Sequence, residues 1–314
     1  MRTPAPIRSR QRGVAVVTAL LLTTLAVTIV ASLFWQQQVQ VRSIENQRLQ
    51  LQKEWILRGA LDWASLILRT HNQQSNIDHL REAWAAPLAE TRLDQYMEEG
   101  QASNDAGDAI LSGNIVDAQS RYNLSNLSTQ GVQNPLEVAA FKRLLINLRL
   151  PPTLAKTVAD AVAAAQPSKT GPGNGQLTML QAEDLLALPG VTPAMVRQLK
   201  DFVVVLPVAT PVNVNTAPAE VLAARFESLT MAEAATLVGS RWTAPFQDSA
   251  NLAARMTQLF NKSFPEASDQ NKVSLSTKYF LVNGKIRMGR AALDSVSLIN
   301  RDERRTTVIW IREQ

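Results

Sequence analysis

The sequence contains no cysteine and only two histidines, His71 and His79, among its 314 residues. Disulfides and thiolate metal sites are therefore excluded. Two histidines also leave few candidate residues for a catalytic triad or a metal site. The chain also has no P-loop, no GxSxG and no HExxH motif, which are local signatures of several large enzyme classes. These absences indicate a protein that is not an enzyme.

The charge of the chain is modestly positive, with a net value of +5. Part of this charge comes from four arginines before an apolar run (Arg2, Arg8, Arg10, Arg12), and a further basic cluster lies near the C-terminus (Arg301, Arg304, Arg305). Because the first group suits the cytoplasmic flank of an anchor, the positive charge is weak evidence for nucleic-acid binding. Hydrophobic residues make up 46% of the chain, enough for two or three compact units.

Residues 14–34 form an apolar run without charge, glycine or proline. About 20 such residues suffice for a helix to cross the hydrocarbon core of a bilayer. Since arginines precede the run and none lies inside it, the positive-inside rule places the leader in the cytoplasm. The alternative is a secretory signal peptide, whose apolar core has about 7–15 residues. This run is longer, so the sequence predicts a retained membrane span.

The helical pattern continues without a break from residue 35 to residue 70. Apolar residues recur on one helical face at steps of seven, four, three and four: Leu49, Ile56, Ala60, Trp63 and Ile67. Together with the apolar run, this pattern predicts one helix on the order of 80 Å long. Its first half suits lipid or like helices, and its second half presents a stripe to a globular domain.

A basic leader ends in Gly13, and the apolar helix starts at Val14. This arrangement resembles the type IV pilin superfamily, although a plain single-span anchor gives a similar pattern. The resemblance implies that a prepilin peptidase cuts between Gly13 and Val14, with methylation, and leaves the helix in place. Most pilins carry glutamate as the fifth mature residue, where this chain has Thr18. That omission is typical of the K-type minor pseudopilins of type II secretion.

The segment after the helix has mixed character. Residues 80–100 read as one or two helices broken at Pro87, and residues 109–127 have strand character with Ser112-Gly113-Asn114 as a turn or bulge. The residues Asn123, Leu124, Asn126 and Leu127 are similar to the K-type family's Asn-Leu-x-Asn-Leu start of a helical domain. We expect both asparagines to cap helices and hold a turn.

Two helical stretches form a weak duplication in the middle of the chain. The phrases "ALPGVTPAMV" and "VNVNTAPAEVL" resemble helix-hairpin-helix units, which bind phosphate through a Gly-x-Gly hairpin at a helix N-terminus. The first copy keeps Gly190 but has Thr192 at the second glycine position, and the second copy places Glu227 where phosphate would lie. The K-type pseudopilin family has similar phrases in two sterile-alpha-motif-like (SAM-like) subdomains. The resemblance gives structural roles to Leu188, Pro189, Gly190, Asn213, Asn215, Thr216 and Ala217.

The C-terminal segment alternates apolar and polar residues in three runs, with turn or loop signals at Asn283-Gly284 and at residues 301–305. Three antiparallel strands packed on the amphipathic half of the helix would complete a pilin-like head. The fold class is therefore α+β, with a large all-helical insertion. The predicted divisions are a leader (1–13), a transmembrane helix (14–35), a helix extension (36–100), the first pilin strands (101–124), two SAM-like subdomains (125–211 and 212–266) and the last strands (267–314).

Calcium is implied only by the resemblance, because K-type relatives bind it at an acidic loop of the helical domain. The matching stretch here keeps Asp160 but not the further acids that calcium coordination needs. Asp105 and Asp108 form another compact acidic pair, which is more often a solvated loop. The expectation is therefore no cofactor and no assigned metal ligand.

The resemblance implies a structural subunit anchored in the inner membrane by one helix, with a cytoplasmic leader and a periplasmic head. It would initiate and cap the tip of the periplasmic pseudopilus that exports folded proteins across the outer membrane. The implied partners are other minor pseudopilins, a major pseudopilin below, the prepilin peptidase and the inner-membrane assembly platform, with no nucleic acid. The alternative is a membrane-anchored helix-hairpin-helix receptor for DNA binding or uptake.

Overall fold

A computed structural model of the chain describes residues 12–93, 109–166, 178–262, 272–289, 291–302 and 305–314. The chain divides into two compact units, Met1–Ile56 and Leu57–Gln314. The leader before residue 12, the acidic pair Asp105 and Asp108, and most of the glycine-rich loop lie outside the described residues.

The first helix, α1 (Arg12–Gln74), has 63 residues. Its large apolar side chains between Val14 and Phe34 are each at least 50% exposed. Within the described residues, α1 is the helix whose length and composition allow it to cross a membrane.

The second unit is built from short helices and strands. The strands are β1 (Leu88–Arg92), β2 (Ile110–Asp117), β3 (Tyr122–Asn123), β4 (Ser128–Thr129), β5 (Val132–Gln133), β6 (Val203–Val204), β7 (Val212–Asn213), β8 (Val273–Ser274), β9 (Tyr279–Met288), β10 (Ala291–Arg301) and β11 (Thr306–Glu313). The helices after α1 are α2 (Pro135–Asn147), α3 (Leu154–Ala165), α4 (Pro193–Leu199), α5 (Ala219–Arg225), α6 (Met231–Thr243) and α7 (Ser249–Phe260). Short 3₁₀ turns lie at Ala83–Ala85, Ala118–Ser120, Leu124–Leu127 and Ala182–Ala187.

The head has a five-stranded antiparallel sheet in the order β1-β2-β9-β10-β11. The three predicted C-terminal strands are β9, β10 and β11. The helical segment lies between β2 and β9 in the chain, so that two neighbouring strands enclose it in sequence. One apolar core runs through that insertion from Tyr122 to Met256, and it includes residues from both predicted subdomains.

The helix extension predicted for residues 36–100 is too long. Helix α1 ends at Gln74, and the chain turns at Ser75, whose Oγ accepts from Ile77 N at 3.3 Å. Leu88–Arg92 is not helical but forms the edge strand β1, so the first strand precedes the range predicted for the pilin strands. A side chain that satisfies backbone groups locally competes with the helix and favours the turn.

The buried face of α1 is one residue away from the predicted stripe. Leu57, Leu61, Ala64 and Leu68 are buried, at steps of four, three and four. Trp63 of the predicted stripe is 49% exposed. Both rows are apolar and helically spaced, and the sheet covers only one of them.

Neither residues 112–114 nor residues 283–284 form a turn. The alternative predicted for residues 112–114 is a bulge, and the register between β1 and β2 is irregular between Leu88, which pairs with Gly113, and Thr91. Gly113 and Gly284 are directly paired in the middle of β2 and β9. A Cβ added at Gly113 would lie 2.3 Å from the carbonyl oxygen of Asn283, so glycine serves close strand approach here rather than chain reversal. The reversal after β9 comes at Gly289, with φ +54°.

Candidate functional site

The motif residue Asn213 lies where three distant segments meet. Its Nδ2 donates to the Asp78 carbonyl oxygen at 3.1 Å and to Asp117 Oδ2 at 2.9 Å. The same nitrogen lies 3.1 Å from Thr277 Oγ1. Its Oδ1 accepts from Asn215 N at 3.0 Å, which shapes the local turn. One fully buried amide thus joins the loop after α1, the end of β2 and the segment that leads into β9.

Asp117 is the acceptor at the centre of this meeting point. Thr216 Oγ1 and Thr277 Oγ1 each donate to Asp117 Oδ2 at 2.6 Å, and Gln119 N donates to Oδ1 at 2.7 Å. Burial raises the pKa of Asp117 to about 6, against the opposing effect of these hydroxyl donors. We call Asp78, Asp117, Asn213, Thr216 and Thr277 the junction cluster.

The second motif asparagine binds the segment between α6 and α7. Asn215 Nδ2 donates to the Phe246 carbonyl oxygen, and Phe246 N donates to Asn215 Oδ1, both at 2.9 Å. Phe246 is fully buried. Ala217, also buried, donates its N–H to the Asn213 carbonyl oxygen at 2.9 Å. The arrangement serves packing rather than chemistry.

The other motif, Leu188-Pro189-Gly190, forms the turn before α4. Leu188 N donates to the Leu185 carbonyl oxygen at 3.0 Å, and Gly190 has φ +82°, a backbone conformation that favours glycine. Thr192 then caps α4 by accepting from Met195 N at 3.4 Å.

Asn123 and Asn126, at the start of the helical insertion, also form hydrogen bonds with backbone groups. Asn123 Oδ1 accepts from Ser125 N at 3.0 Å and from Leu206 N at 3.2 Å. Asn126 exchanges two hydrogen bonds with the backbone of Thr210, at 2.8 and 2.9 Å. Their position beside residues 206–210 ties the start of the insertion to its middle.

A group of charged residues adjoins the junction cluster. Arg301 Nη2 lies 2.5 Å from Asp78 Oδ2 and donates to the Thr277 carbonyl oxygen at 2.7 Å. His71 lies with Nδ1 3.3 Å from Asp78 Oδ1 and Nε2 2.9 Å from Glu82 Oε1. We call His71, Asp78, Glu82 and Arg301 the ion cluster. The sequence alone does not predict this cluster, because its residues are far apart in the chain and carry no local motif.

The protonation of the ion cluster follows from its geometry. Burial alone lowers the pKa of His71, but the adjacent carboxylates of Asp78 and Glu82 outweigh it and raise that pKa to about 9. Burial alone raises the pKa of Asp78, but His71 and Arg301 hold it below its usual range. The ligand atoms of His71, Asp78 and Glu82 lie within 4.8 Å of one another. Since the Arg301 guanidinium already contacts Asp78, the group fits an ion-pair network better than a divalent metal.

The helix N-terminus that the DNA-receptor hypothesis needs is already engaged. At α6, Thr230 Oγ1 accepts from Glu233 N at 3.3 Å, and Glu233 Oε2 accepts from Thr230 N at 2.8 Å. Lys262 Nζ lies 2.7 Å from Glu233, and it lowers the pKa of that carboxyl together with Thr230 to about 2. Glu227 is 85% exposed in the preceding hairpin. A phosphate would meet carboxylates here instead of free N–H groups.

Asp160, the acid retained at the position matched to the calcium loop, has partners within the chain. Lys156 Nζ donates to its Oδ2 at 2.7 Å, and Gln133 Nε2 donates to its Oδ1. The hydrogen bond from Lys156 is the main reason that the pKa of Asp160 is lowered. Both oxygens are therefore occupied by donors.

The predicted cleavage position, Gly13 and Val14, and the position of the pilin glutamate, Thr18, lie at the start of α1. Gly13 falls in the first turn of the helix, and Val14 follows it. Thr18 Oγ1 donates back to the carbonyl oxygens of Val14 and Ala15, at 3.0 and 3.1 Å. The hydroxyl at the position of the pilin glutamate is thus satisfied within its own helix.

Nearly the whole length of the helical insertion matches models of one known family. Residues 120–208 and residues 212–275 match two successive family models, both described as type II secretion system protein K. The chain belongs to the type II secretion system protein K family. It is a minor pseudopilin of that system, and the DNA receptor is not favoured. The family is structural, and the apolar N-terminal helix is consistent with a membrane anchor.

Relatives match over most of their length. The chain is 29% identical to type II secretion system protein K of Pseudomonas aeruginosa, over 94% of this chain and 90% of that protein. It is 25% identical to the protein K of Pectobacterium carotovorum, with 96% of each covered. Among solved structures, it is similar to a chain of the GspK-GspI-GspJ complex from the type 2 secretion system of enterotoxigenic Escherichia coli. The TM-score is 0.68 at 19% identity, over 87% of this chain and 99% of that one, which shows a common fold.

Proposed function

We propose that this pseudopilin initiates and caps the tip of the periplasmic pseudopilus used to export folded proteins across the outer membrane. The observation that carries the proposal is the state of Thr18, whose hydroxyl bonds within its own helix. A subunit stacked above would bring an N-terminal ammonium into the membrane without a carboxylate to neutralise it. An unpaired charge there is costly, so subunits fit below and beside this one but not above it.

The helical insertion supports the same position. It lies between β2 and β9, and it has its own apolar core. A body of that size on a pilin-like head would overhang the shaft and obstruct a further head. The two features act independently, since one concerns the membrane helix and the other the head.

The partners of the proposed tip are other minor pseudopilins, with a major pseudopilin below. The fold neighbour from E. coli was solved as a complex of GspK with GspI and GspJ, which supports a small hetero-oligomer for this chain as well. Assembly would also involve the prepilin peptidase and the inner-membrane platform. The leader would lie in the cytoplasm and the head in the periplasm.

The decisive experiment for the tip is immunogold labelling of assembled pseudopili, combined with co-purification of the full chain with the other minor pseudopilins. Label at one end and a complex of about one copy of each subunit are expected. Thr18→Glu should leave filament length unchanged, because the insertion still obstructs stacking. Label along the whole shaft of filaments that contain the intact chain would exclude the capping role.

Processing is proposed to occur between Gly13 and Val14, at the junction of the polar leader and the apolar run. Mass spectrometry of the membrane-extracted chain should give Val14 as the first residue, and Gly13→Leu should keep the leader attached. A mature terminus beyond residue 34 would instead indicate a conventional signal peptide.

We further propose that the head requires no calcium. The support is the internal pairing of Asp160 with Lys156 and Gln133, together with the lack of further acids in residues 161–176. A chelator should leave Tm unchanged; a large decrease that calcium alone reverses would show a bound ion.

A further inference from the structure

The last strand, β11, is a free edge of the five-stranded sheet. Within the described residues it pairs with β10 alone. Glu313 lies opposite Ser295, and the next residue, Gln314, donates its N–H to the Asp294 carbonyl oxygen at 2.9 Å. Because bonded and non-bonded pairs alternate in an antiparallel ladder, the N–H and C=O groups of Glu313 and Ile311 point away from β10. These backbone groups are therefore open to a further strand.

The opposite edge, β1, has features that protect an edge strand from pairing. It has five residues, its register with β2 is irregular, and Glu90 forms an ion pair with Arg287 at 3.4 Å. Short length, irregular pairing and charge are the usual means by which proteins discourage edge-to-edge contact. Strand β11 has eight residues, and residues 308–311 within it are apolar. An open apolar edge of this kind favours a dedicated partner strand.

A cleft of about 630 Å³ lies beside β11, between the sheet and the helical insertion. Ile309 and Trp310 line it from the sheet, and Met179 and Val208 line it from the insertion. Ile309 has no partner on β10, because the register passes directly from Trp310 to Val308. Such a bulge lets two consecutive side chains line the same cleft. We call this cleft the edge cleft.

The lining of the edge cleft favours an uncharged occupant. Among the described residues that line it, Arg312 is the one charged side chain. Its Nη2 donates to the Leu180 carbonyl oxygen at 2.9 Å, and its Nη1 donates to Gln181 Oε1 at 3.1 Å. Its guanidinium carbon lies 4.0 Å from the centre of the Trp310 ring. Since Arg312 already has partners, a charged group in the cleft would lose hydration without gaining an ion pair.

A backbone edge beside an apolar cleft matches one known mode of peptide recognition. In strand addition, main-chain hydrogen bonds supply affinity, and pockets for alternate side chains supply specificity. Ile311 and Glu313 offer the main-chain groups, and the edge cleft offers space for side chains on the face of Trp310. Because successive side chains of a strand point to opposite faces, the occupant is an extended segment with uncharged apolar residues at alternate positions.

We propose that β11 and the edge cleft bind an extended, uncharged segment of an exported protein by strand addition. The inference rests on the proposed function, in which the helical insertion lies at the end of the pseudopilus with no subunit above it. One wall of the edge cleft belongs to that insertion, so the cleft lies where an exported protein arrives. The contact is far below the roughly 800 Å² per partner of a stable interface, so the exported protein is readily released.

The first experiment removes one backbone donor from the edge. Ile311→Pro deletes an N–H that points away from β10, and an edge strand tolerates proline at such a position. In cells that carry the full chain, this variant should reduce the exported protein in the medium about tenfold. Ile311→Ala is the matched control, because it shortens the side chain but keeps the N–H, and secretion should stay within about twofold of the parent. Equal secretion by both variants would overturn the inference.

A second pair of variants changes the cleft instead of the backbone. Ile309→Lys places a charge in the edge cleft, whereas Val308→Lys changes a residue of similar exposure that does not line it (43% and 39% exposed). The first should reduce secretion about tenfold and the second should not, while both co-purify with the other minor pseudopilins as the parent does. Equal secretion by this pair would overturn the inference even if Ile311→Pro does not fold.

The third experiment identifies the occupant. In secreting cells, a photo-reactive phenylalanine at Ile309 should cross-link to a protein that is also found in the medium, and the same group at Val308 should not. Ile311→Pro in the same chain should abolish the cross-link. Cross-links from position 309 to another pseudopilin, to lipid or to no protein would overturn the inference. If immunogold label still lies at one end of the pseudopilus, such a result leaves the proposed function standing. Label along the whole shaft would exclude both.

Discussion

Arg225 and Glu137 form a buried bidentate ion pair, with Nη1–Oε2 at 2.6 Å and Nη2–Oε1 at 3.0 Å. Tyr122 also donates to Glu137 Oε2, at 3.0 Å. Glu137 lies in the first turn of α2 and Arg225 in the last turn of α5. The pair therefore links the two predicted subdomains within their common core.

Removal of one partner of this pair should be strongly destabilising. Arg225→Met leaves Glu137 buried without a counter-charge, which costs about 3–5 kcal/mol. Thermal unfolding of the detergent-solubilised chain, followed by near-ultraviolet circular dichroism, should show a large decrease in Tm. The control is Glu227→Ala, which removes an exposed partner 3.5 Å from Arg143 and should cost at most about 1 kcal/mol. Similar Tm values for both variants would contradict the prediction.

His71 should make stability depend on pH above neutrality. Its pKa rises from 6.5 to about 9 on folding, so the folded state binds the proton more tightly. The contribution is fully present below about pH 6.5 and is lost as the pH rises through about 9. Asp78, Glu82 and Arg301 are the charged groups around it.

The measurement compares the Tm of the chain with that of His71→Asn across this pH range. The difference should be large near pH 6 and small above about pH 9. A difference that stays constant with pH would show that His71 acts by packing alone.

Asp117 should make the stability of the fold depend on pH over a lower pH range than His71 does. Burial raises its pKa from 3.8 to about 6, so the folded state again binds more protons. Stability should fall as the pH rises from about 4 to about 6. Asp117→Asn should remove this slope and also cost about 1–3 kcal/mol, because the amide has one acceptor oxygen where the carboxylate has two, so that a donor faces either the Gln119 N–H or the groups that bond Oδ2. An unchanged slope in the variant would assign the effect to other groups.

Gly113 should tolerate no side chain. An added Cβ would lie 2.3 Å from the Asn283 carbonyl oxygen, so Gly113→Ala should force β2 from β9 and cost about 3 kcal/mol or more. Gly59→Ala is the control, because its Cβ meets no atom within 4 Å among the described residues. That variant lies within α1 and should be up to about 1 kcal/mol more stable than the parent. Equal Tm changes for the two would refute the close-approach explanation.

Affinity for duplex DNA should be weak. The N-terminus of α6 is capped by Thr230 and Glu233, so only non-specific binding of roughly 10⁻⁴–10⁻⁶ M at physiological salt is expected. Fluorescence anisotropy with the detergent-solubilised chain measures it. Sub-micromolar binding that is lost on substitution of Gly190 or Lys200 would support the receptor instead.

The sequence alone determined the elements whose signals are local. The apolar run of residues 14–34 predicts the membrane helix because its length is set by the bilayer. Alternation within residues 274–314 predicts three strands because the side-chain period of a strand is two. The sequence motifs around Gly190 and Asn213 indicate the family. Each motif forms a local turn: Gly190 has a positive φ, and Asn213 Oδ1 accepts a hydrogen bond from Asn215 N.

Tertiary structure decided which surfaces and side chains meet. Residues 56–68 contain two adjacent apolar rows, and only the position of the sheet determines that Leu61 is buried while Trp63 stays exposed. Gly113 and Gly284 resemble turn residues until strand pairing places them opposite each other. Asp117, Asn213 and Arg301 join clusters whose members lie up to 230 positions apart. Such pairings arise from burial of polar groups that need partners, and no local period or spacing in the chain encodes them.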